Sequence, residues 1–578
     1  MKRRTVKRIL TYVRPYRAAF AASCASALLY VLFTLLGPVF TGRAIDNILG
    51  PGQVDLRGVL YYLALLGISV LLAAASQWVM NVCTRKISSR ASNDMRGEAF
   101  RVLNRTPLKY IDGHTHGDII SRMVNDADLV AVGLLQGLTQ LLPGVATILG
   151  TLVVMAVLNP VIALVVVLVT PVSIAFAGFV ARRTTGFFKA QSAAQGRLSG
   201  FVNEMVAGQS VVKAFGYEDR CFAQFDAISD ELYDTGLKSV FYSSVTNPGT
   251  RFVNAIVYAA VGVIGAISAI GGSITVGQLS CFLTYANQYT KPFNEVTGVL
   301  TQLQTAVASA ERLFAVIDEP TERPDAPDAL APTACGGRVT ASHVDFAYVP
   351  AVPLIEDFNL DVMPGQRIAI VGPTGCGKTT LINLLMRFYE VDRGEIAVDG
   401  NSIAKLRRSA LRGMYGMVLQ ETWLKCATVR ENIAYGKPDA TDEEVKAAAK
   451  AAYAHGFIKR LPQGYDTVIA PGGGNLSAGQ KQLLCIARIM LCQPQMLILD
   501  EATSSIDTRT EMLVQQAFEK LMQGRTSFVV AHRLSTIQSA DRILVMNAGH
   551  IIEQGTHAEL LAKQGFYANL YNSQFAVE

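Results

Sequence analysis

The stretch Val371-Gly372-Pro373-Thr374-Gly375-Cys376-Gly377-Lys378-Thr379-Thr380 decides the fold of the second half of the chain. It follows a short uncharged run, residues 368–371, that is typical of a buried strand, and it precedes apolar residues at helical spacing from Leu381 to Phe388. Its three glycines let successive backbone NH groups point into one concavity at the start of that helix. The loop therefore predicts a phosphate-binding site in an α/β domain, with a chance glycine-rich turn as the alternative.

The composition predicts several domains, one of them in a membrane. The chain has 578 residues, of which 50% are hydrophobic and only 17% are charged. The formal net charge is +6, and a basic cluster (Lys2, Arg3, Arg4, Lys7, Arg8) opens the chain. Beside a hydrophobic span, such a cluster indicates a cytoplasmic juxtamembrane segment rather than a nucleic-acid site. The nine cysteines form no C-x-x-C pair, so we interpret them as reduced packing residues.

Six apolar stretches are long enough to cross a bilayer, which takes about 20 residues. They lie at residues 18–40, 59–83, 134–158, 160–181, 243–270 and 275–298. The connections between the second and third stretches and between the fourth and fifth are rich in Lys and Arg. By the positive-inside rule both connections are cytoplasmic, which also places both termini inside.

Both long connections have helical periodicity, so we expect the spans to continue as helices into the cytoplasm. Their tips, residues 106–113 and 206–213, are either docking segments for another domain or ordinary helical connections. Polar residues form one stripe on each of the last two spans: Asn247, Arg251, Asn254 and Tyr258, and Thr284, Gln288, Lys291 and Glu295. These stripes line a translocation path or hold helices together, and no substrate can be inferred from them.

An acidic, proline-rich linker at residues 318–337 separates the two halves. The expected domains are thus an N-terminal interfacial helix at 1–17, a six-span domain at 18–317, and a nucleotide-binding α/β domain at 338–578. The predicted fold class is an α-helical membrane domain followed by an α/β phosphate-loop domain.

Further residues of the second half fit a nucleotide site. Tyr348 is placed to stack on adenine, and a buried strand ends in Asp500 and Glu501, as a Mg²⁺-associated and a water-activating carboxylate require. His532 ends another strand and is placed to contact a γ-phosphate. Each also has a structural alternative: a core aromatic, a helix cap or a satisfied histidine. The run from Asn475 to Gln480 is a second possible anion-binding helix start.

With these motifs the sequence resembles the ATP-binding cassette transporters, specifically exporter-type half-transporters, over essentially the whole chain. The resemblance assigns Glu501 as the catalytic glutamate, His532 as the switch histidine and Gln420 as the Q-loop glutamine. It implies a Mg²⁺ ion held with Thr379, Gln420 and Asp500. The implied ATP-binding set is Tyr348, Gly372, Pro373, Thr374, Gly375, Cys376, Gly377, Lys378, Thr379, Thr380, Ser477, Ala478, Gly479, Gln480 and Asp507.

The resemblance also implies a dimer. In this family two such domains meet head to tail, so that Ser477 and Gly479 of one chain cover the γ-phosphate held by Lys378 of the other. The segments near Tyr110 and Val211 resemble the coupling helices, which carry ATP-driven opening and closing to the spans and so give alternating access.

Three departures from the family pattern stand out. Ala478 replaces a usual glycine, the approach from Ala470 to Gly474 lacks a common acidic residue, and Lys425 stands where an aromatic is common. The segments around Gln480 and Asp507 resemble the catalytically complete half of bacterial heterodimeric multidrug-type exporters. A heterodimer with a second half-transporter subunit is therefore favoured, with a homodimer left open. In a heterodimer whose partner loop lacks the thiol, we expect alkylation of Cys376 to block ATP binding at one of the two sites.

The leading hypothesis is an ATP-driven exporter of a drug, lipid or peptide in the cytoplasmic membrane. An ATP-gated channel or regulator is an alternative of another class, against which Glu501 and His532 argue. An importer of a metal chelate on the exporter fold stays open. A soluble DNA-maintenance ATPase is disfavoured by the first 300 or so residues, and no nucleic-acid partner is expected.

Overall fold

The computed structural model describes residues 2–50, 53–332, 334–419, 422–500, 506–530 and 534–575. By their internal contacts these residues form two units. The first comprises residues 1–105 and 114–320, and the second comprises residues 106–113 and 321–578, within the described ranges. The short segment 106–113 thus belongs to the second unit, although the chain reaches it in the middle of the first.

The first half of the chain is built from helices and one short β-hairpin, formed by β1 (Ile48–Gly50) and β2 (Gln53–Val54). The helices are α1 (Lys2–Val13), α2 (Arg17–Asp46), α3 (Leu56–Leu103), α4 (Leu108–Asp112), α5 (His116–Ser121), α6 (Ala127–Gln136), α7 (Leu142–Leu158), α8 (Pro160–Ala207), α9 (Gln209–Ala214), α10 (Glu218–Ile270) and α11 (Val276–Ile317). Two π-helical turns, Arg122–Asp126 and Gly137–Leu141, join α5, α6 and α7 into one continuous helical run.

The long helices confirm the prediction that the spans continue beyond the bilayer. Helix α3 has 48 residues and α10 has 53. At a rise of about 1.5 Å per residue each exceeds about 70 Å, more than twice the hydrocarbon thickness of about 30 Å. Among the described residues, three helical runs pass a length and hydropathy test for spanning: Arg4–Asp46, Leu56–Leu103 and His116–Leu158. A shorter apolar stretch covers Tyr258–Ile270.

Helices α2 and α11 approach each other closely where α2 ends and α11 begins. A Cβ at Gly277 would lie 2.0 Å from the carbonyl oxygen of Gly42, so no larger residue fits there. The Asp46 carboxylate accepts hydrogen bonds from the Gly277 NH and the Thr275 hydroxyl, both at 2.8 Å. These bonds satisfy NH and OH groups at the start of α11 that the helix itself leaves open.

The described residues of the second unit form ten strands in two sheets. They are β3 (Val339–Phe346), β4 (Ile355–Val362), β5 (Arg367–Val371), β6 (Arg393–Val398), β7 (Asn401–Ser402), β8 (Tyr415–Val418), β9 (Met496–Asp500), β10 (Thr526–Val530), β11 (Arg542–Asn547) and β12 (His550–Gly555). The first sheet has the order β4-β3-β6-β7 and is antiparallel. The second has the order β12-β11-β5-β10-β9-β8, parallel except for β12.

The remaining helices of the second unit surround these sheets. They are α12 (Lys378–Leu385), α13 (Arg408–Met414), α14 (Val429–Ile433), α15 (Asp442–Ala451), α16 (His455–Ile458), α17 (Ala478–Cys492), α18 (Thr508–Met522), α19 (Leu534–Gln538), α20 (His557–Ala562) and α21 (Phe566–Phe575).

Alternate residues of the parallel strands enter different cores, as the period of two of a strand requires. In β5, Ile368 and Ile370 pack with α12 and the antiparallel sheet, whereas Ala369 and Val371 pack with the C-terminal helices. A third core lies between β8, β9 and helices α14 to α18. Both faces of the parallel strands are therefore covered, which explains why the central strands β5, β9 and β10 are buried along most of their length.

The predicted linker follows a defined path. The Arg408 guanidinium donates to the Arg323 carbonyl at 2.7 Å and to the Asp325 carboxylate at 2.8 Å. Leu330 pairs with the segment just before α13, through backbone bonds from its NH to the Lys405 carbonyl and from the Arg407 NH to its own carbonyl. These contacts place the described part of the linker beyond residue 320 against the second unit.

Candidate nucleotide-binding site

The glycine-rich loop connects β5 to α12, as the sequence predicts. Gly375 and Gly377 have φ angles of 82° and 103°, a region that side chains with a Cβ rarely adopt. Gly372 is required for a different reason, because a Cβ there would lie 2.2 Å from the Met546 carbonyl oxygen of β11. The loop therefore needs its glycines for backbone conformation and for close packing against the neighbouring strand.

Lys378 is the first residue of α12 and bends back over the loop. Its ammonium group donates to the carbonyl oxygens of Gly372 at 2.8 Å and Pro373 at 2.9 Å. Pro373 and Thr374 are exposed, and Thr379 is exposed at the same helix start. A cation and the positive end of a helix thus lie together at an accessible loop, an arrangement that attracts phosphate.

Two residues of the loop region have buried side chains, Thr380 and Cys376. The Cys376 thiol is only 2% exposed and packs in the core beneath the loop. The predicted block of one ATP site by alkylation of Cys376 therefore requires the loop to open first, because a reagent has no direct access to the sulfur in this conformation.

The strand order brings the predicted acidic residue to the loop edge of the sheet. Strand β10 lies between β5 and β9, and Val530 is aligned both with Ile370 of β5 and with Asp500 of β9. Because carboxyl ends of parallel strands share one edge, Asp500 and the loop after Val371 lie at the same edge. The hydroxyl of Thr379 and the carboxylate of Asp500 are oxygen donors of the kind that Mg²⁺ prefers.

Three of the predicted site residues, Gln420, Glu501 and His532, lie outside the described residues. The strands that precede them in the chain, β8, β9 and β10, are neighbours in the parallel sheet and end at the edge that carries the loop. Ser504 and Ser505, which precede Asp507, are also outside the described residues.

Tyr348 follows β3 and lies in a cluster of aromatic rings. Its ring makes edge-to-face contacts with Phe346 and Tyr389, each at 4.9 Å between centroids. Its hydroxyl accepts a hydrogen bond of 3.4 Å from the Asn383 amide on α12. Tyr348 remains partly exposed, so it is both a packed aromatic and an accessible one.

The second helix start is formed by Ser477, which caps α17. The Ser477 hydroxyl accepts from the Gln480 NH at 3.3 Å, and the Gln480 side chain accepts from the Ser477 NH at 3.0 Å. This reciprocal pair is a capping box, which fixes where α17 begins. Ser477 and Ala478 are exposed, so the extra methyl of Ala478 makes no demand on the packing of its own chain.

Gly479 is buried against α18, and its lack of a side chain is required. A Cβ at Gly479 would lie 2.3 Å from Thr510 Cγ2 and 2.9 Å from Ile506 Cγ2. The packing of the chain thus accommodates alanine at position 478 but not at position 479.

Asp507 caps α18, because its carboxylate accepts from the Thr510 NH at 2.9 Å. This backbone hydrogen bond is the main cause of a lowered pKa for the Asp507 carboxyl. An acidic residue before a helix can have the purely structural role of capping it, and Asp507 has this role here. The exposed carboxylate still has a free face, so capping does not exclude nucleotide contact.

Sequence reasoning missed residues that organise the segment after Gln420. Asn432 is 1% exposed and pairs with Lys425 twice, since each donates an NH to the other at 2.9 Å. Arg488 of α17 donates to the Asn432 carbonyl at 2.9 Å and to the Trp423 carbonyl at 3.4 Å. Arg488 thereby joins α17 to the segment after Gln420. The signal available in the sequence was an asparagine that closely follows a capping-box threonine.

The comparisons with known proteins match both halves of the chain. Residues 20–293 match the ABC transporter transmembrane region, and residues 355–504 match the ABC transporter family of ATP-binding domains. The chain belongs to the ABC transporter family. A fatty acid ABC transporter ATP-binding/permease protein of Mycobacterium bovis is 43% identical over 89% of this transporter and 82% of its own length. A putative multidrug export ATP-binding/permease protein of Staphylococcus aureus is 36% identical over 98% of this transporter and 100% of its own length.

Solved structures agree with this assignment. The structure of a bacterial Atm1-family ABC exporter with ATP bound superposes with a TM-score of 0.78 and 28% identity, covering 97% of this transporter and 98% of that chain. The predicted fold class and ATP-driven export are therefore confirmed, and the transporter is an ATPase coupled to transport. As a half-transporter with one membrane and one ATP-binding region, it works as a dimer in a membrane.

Proposed function

We propose that this transporter is the catalytically complete half of an exporter that moves an amphipathic drug, lipid or peptide across the cell membrane, with both termini in the cytoplasm. The membrane domain, residues 18–317, would form the path, and the domain at 338–578 would hydrolyse ATP. The observation that carries the proposal is the shared sheet edge, where the Lys378 loop and Asp500 lie together while Ser477 remains exposed for a second chain.

The site residues would divide the work by charge and position. Lys378 would exchange its carbonyl partners for phosphate oxygens, and Tyr348 would support the adenine ring. Glu501 would polarise the attacking water, and His532 would stabilise charge on the transferring phosphoryl group. Gln420 would report the state of this site to the coupling helices.

The donor set fits a bound Mg²⁺ ion. Thr379 and Asp500 offer a hydroxyl and a carboxylate at one sheet edge, and Gln420 is the third proposed ligand. Within the described part of the chain no group of three or more His, Cys, Asp or Glu residues is suited to hold a metal. Mg²⁺ takes few protein ligands and completes its shell with phosphate and water. When bound, it would neutralise charge on the phosphates.

The partner proposed is a second half-transporter subunit, with a heterodimer favoured over a homodimer. Ser477 with Gly479 of one chain would cover the phosphate held by the other, which needs α17 to start at an exposed position, as it does. Native mass spectrometry of the transporter purified from its own host would show two different chains. One chain type with full ATPase activity would instead establish the homodimer.

Two names among the relatives favour an amphipathic substrate: one refers to fatty acids and one to multidrug export. Both cargoes combine apolar surface with a polar group. An importer of a metal chelate and an ATP-gated channel remain the competing functions, and direction of flux and ion current distinguish them.

The test uses transporter reconstituted in vesicles with the ATP-binding domains outside. Wild type should accumulate a fluorescent fatty acid or Hoechst 33342 inside when ATP is added, and Glu501→Gln should abolish accumulation. Glu443→Gln, which removes an exposed carboxylate on α15, is the matched control and should behave as wild type. Equal transport by Glu501→Gln, or ATP-driven exit from the vesicles, would refute the proposal.

A further inference from the structure

Helix α4 is held in the second unit by contacts that reach the aromatic cluster around Tyr348. Leu108 packs against the core of this unit, and Tyr110 is buried. At the end of α4, the Asp112 carboxylate accepts a hydrogen bond of 2.5 Å from the Tyr389 hydroxyl. Asp112 and Tyr389 are 277 residues apart in sequence, so this bond is a specific tertiary contact.

Tyr389 contacts Asp112 and Tyr348 with different parts of one side chain. Its hydroxyl bonds Asp112, while its ring meets the Tyr348 ring at 4.9 Å and 89° and the Phe346 ring at 5.6 Å and 71°. Edge-to-face pairs of this kind constrain both rings. A change in the orientation of Tyr348 therefore alters the packing of the residue that holds α4.

The surroundings keep the Tyr389 hydroxyl protonated. The residue is 8% exposed, and burial, followed by the hydrogen bond to Asp112, raises the pKa of its phenol. A protonated phenol donates and an aspartate accepts, so the bond has a fixed direction. Hydrogen bonds to ionised acceptors are also the stronger class.

The backbone around Tyr389 is anchored on both sides. Arg387 is largely buried and donates to the carbonyls of Ile403 at 3.0 Å and Leu406 at 3.1 Å. It also pairs with Glu390 at 2.9 Å, and Arg408 binds the same carboxylate at 2.8 Å. The backbone on both sides of Tyr389 is therefore held in place while its side chain contacts Tyr348 and Asp112.

We propose that Tyr389 is a positioning residue that makes the docking of α4 respond to nucleotide at Tyr348. The inference rests on the proposed stacking of adenine on Tyr348. It assigns a role to a residue that belongs neither to the ATP-binding set nor to the catalytic residues named above. Adenine on Tyr348 fixes that ring, the edge contact fixes Tyr389, and the Asp112 bond then holds α4 more firmly. The signal reaches α4 on the adenine side of the nucleotide, independently of Gln420.

The experiment measures hydrogen exchange at the backbone amides of residues 108–113 in the full-length transporter in nanodiscs, with and without AMP-PNP. In wild type the nucleotide should slow exchange on the order of tenfold, since a hydrogen bond to an ionised group shifts a local equilibrium by about that factor. In Tyr389→Phe the slowing should fall below about twofold, while AMP-PNP affinity changes little. Tyr465→Phe is the matched control, because it removes a hydroxyl bonded to His455 elsewhere in this unit.

Variants of Asp112, the acceptor of the hydrogen bond, test the same contact without changing Tyr389. Asp112→Ala should lose the nucleotide effect, whereas Asp112→Asn keeps an acceptor oxygen without its charge and should retain only part of it. Nucleotide-dependent slowing that survives in Tyr389→Phe and Asp112→Ala, or no slowing in a wild type that binds AMP-PNP, overturns the inference alone. Failure of wild type to bind AMP-PNP overturns both the inference and the proposed function.

Discussion

Replacing Gly479 by alanine tests how closely α17 must pack on α18. The added methyl would lie 2.3 Å from Thr510 Cγ2, whereas ordinary contact begins at 3.4 Å. One of the two groups must therefore move by roughly 1 Å, because a β-branched threonine is too short to swing away. Overpacking of this kind costs about 1–3 kcal/mol, and the better helix propensity of alanine offsets about 1 kcal/mol.

The remaining cost of about 0–2 kcal/mol leaves the protein folded, with a midpoint of unfolding lowered by only a few degrees. The activity should suffer much more, because Ser477 at the start of α17 moves with Gly479. A displacement of about 1 Å at a reacting site lowers rates by about 100-fold. We therefore expect ATPase activity to fall by about that factor, measured as phosphate release from purified full-length transporter.

Two variants separate this explanation from a general defect. Ala478→Gly changes the neighbouring exposed position and should keep activity within about twofold, since its methyl has no packing role. In the Gly479→Ala background, Thr510→Ser removes the nearest clashing atom, Thr510 Cγ2, and should restore part of the lost activity, while the contact with Ile506 Cγ2 at 2.9 Å remains. Wild-type activity in Gly479→Ala, or no recovery in the double variant, would refute the packing argument.

The other predictions concern three residues of the site. Tyr348→Ala should raise KM for ATP about tenfold, and Tyr348→Phe should leave it within about twofold, because base stacking contributes about 1–3 kcal/mol. The pKa of Asp507 is lowered by the Thr510 NH, so its cap is present at neutral pH and lost as pH falls through that lowered pKa. Asp507→Ala should therefore lower the unfolding midpoint at pH 7 but not at a pH below that value. A maleimide should label exposed Cys426 well before Cys376, as peptide mass spectrometry would show; equal rates would contradict the buried position.

The sequence predicted well those features that depend on local pattern. Span lengths, the strand before Gly372 and the helix after Lys378 all follow from periodicity and glycine placement. The sequence also indicated Ser477 as a helix start, since Gln480 stands three residues later. The ends of helices were predicted less accurately. The span predicted at 160–181 is part of α8, which continues to Ala207.

Contacts between distant parts of the chain could not be predicted. No spacing rule connects Asp112 with Tyr389, and their hydrogen bond depends on how the chain returns to α4 after the four further predicted spans. The burial of Cys376 also depends on tertiary packing, because neighbouring loop positions differ only in which side of the backbone faces the core. The choice between docking segment and plain connection at 106–113 likewise required the three-dimensional grouping of residues.

The membership of α4 in the second unit has a consequence for biosynthesis. The ribosome makes residues 106–113 about 200 residues before Thr321, the start of the rest of that unit. At roughly 5–20 residues per second, about 10–40 s pass before the first residue of the rest of that unit is made, and Tyr389, which holds α4, follows later still. During that time Leu108 and Tyr110 are exposed to chaperones and proteases, so correct insertion of the intervening spans and late docking of α4 become a checkpoint that a nascent transporter must pass.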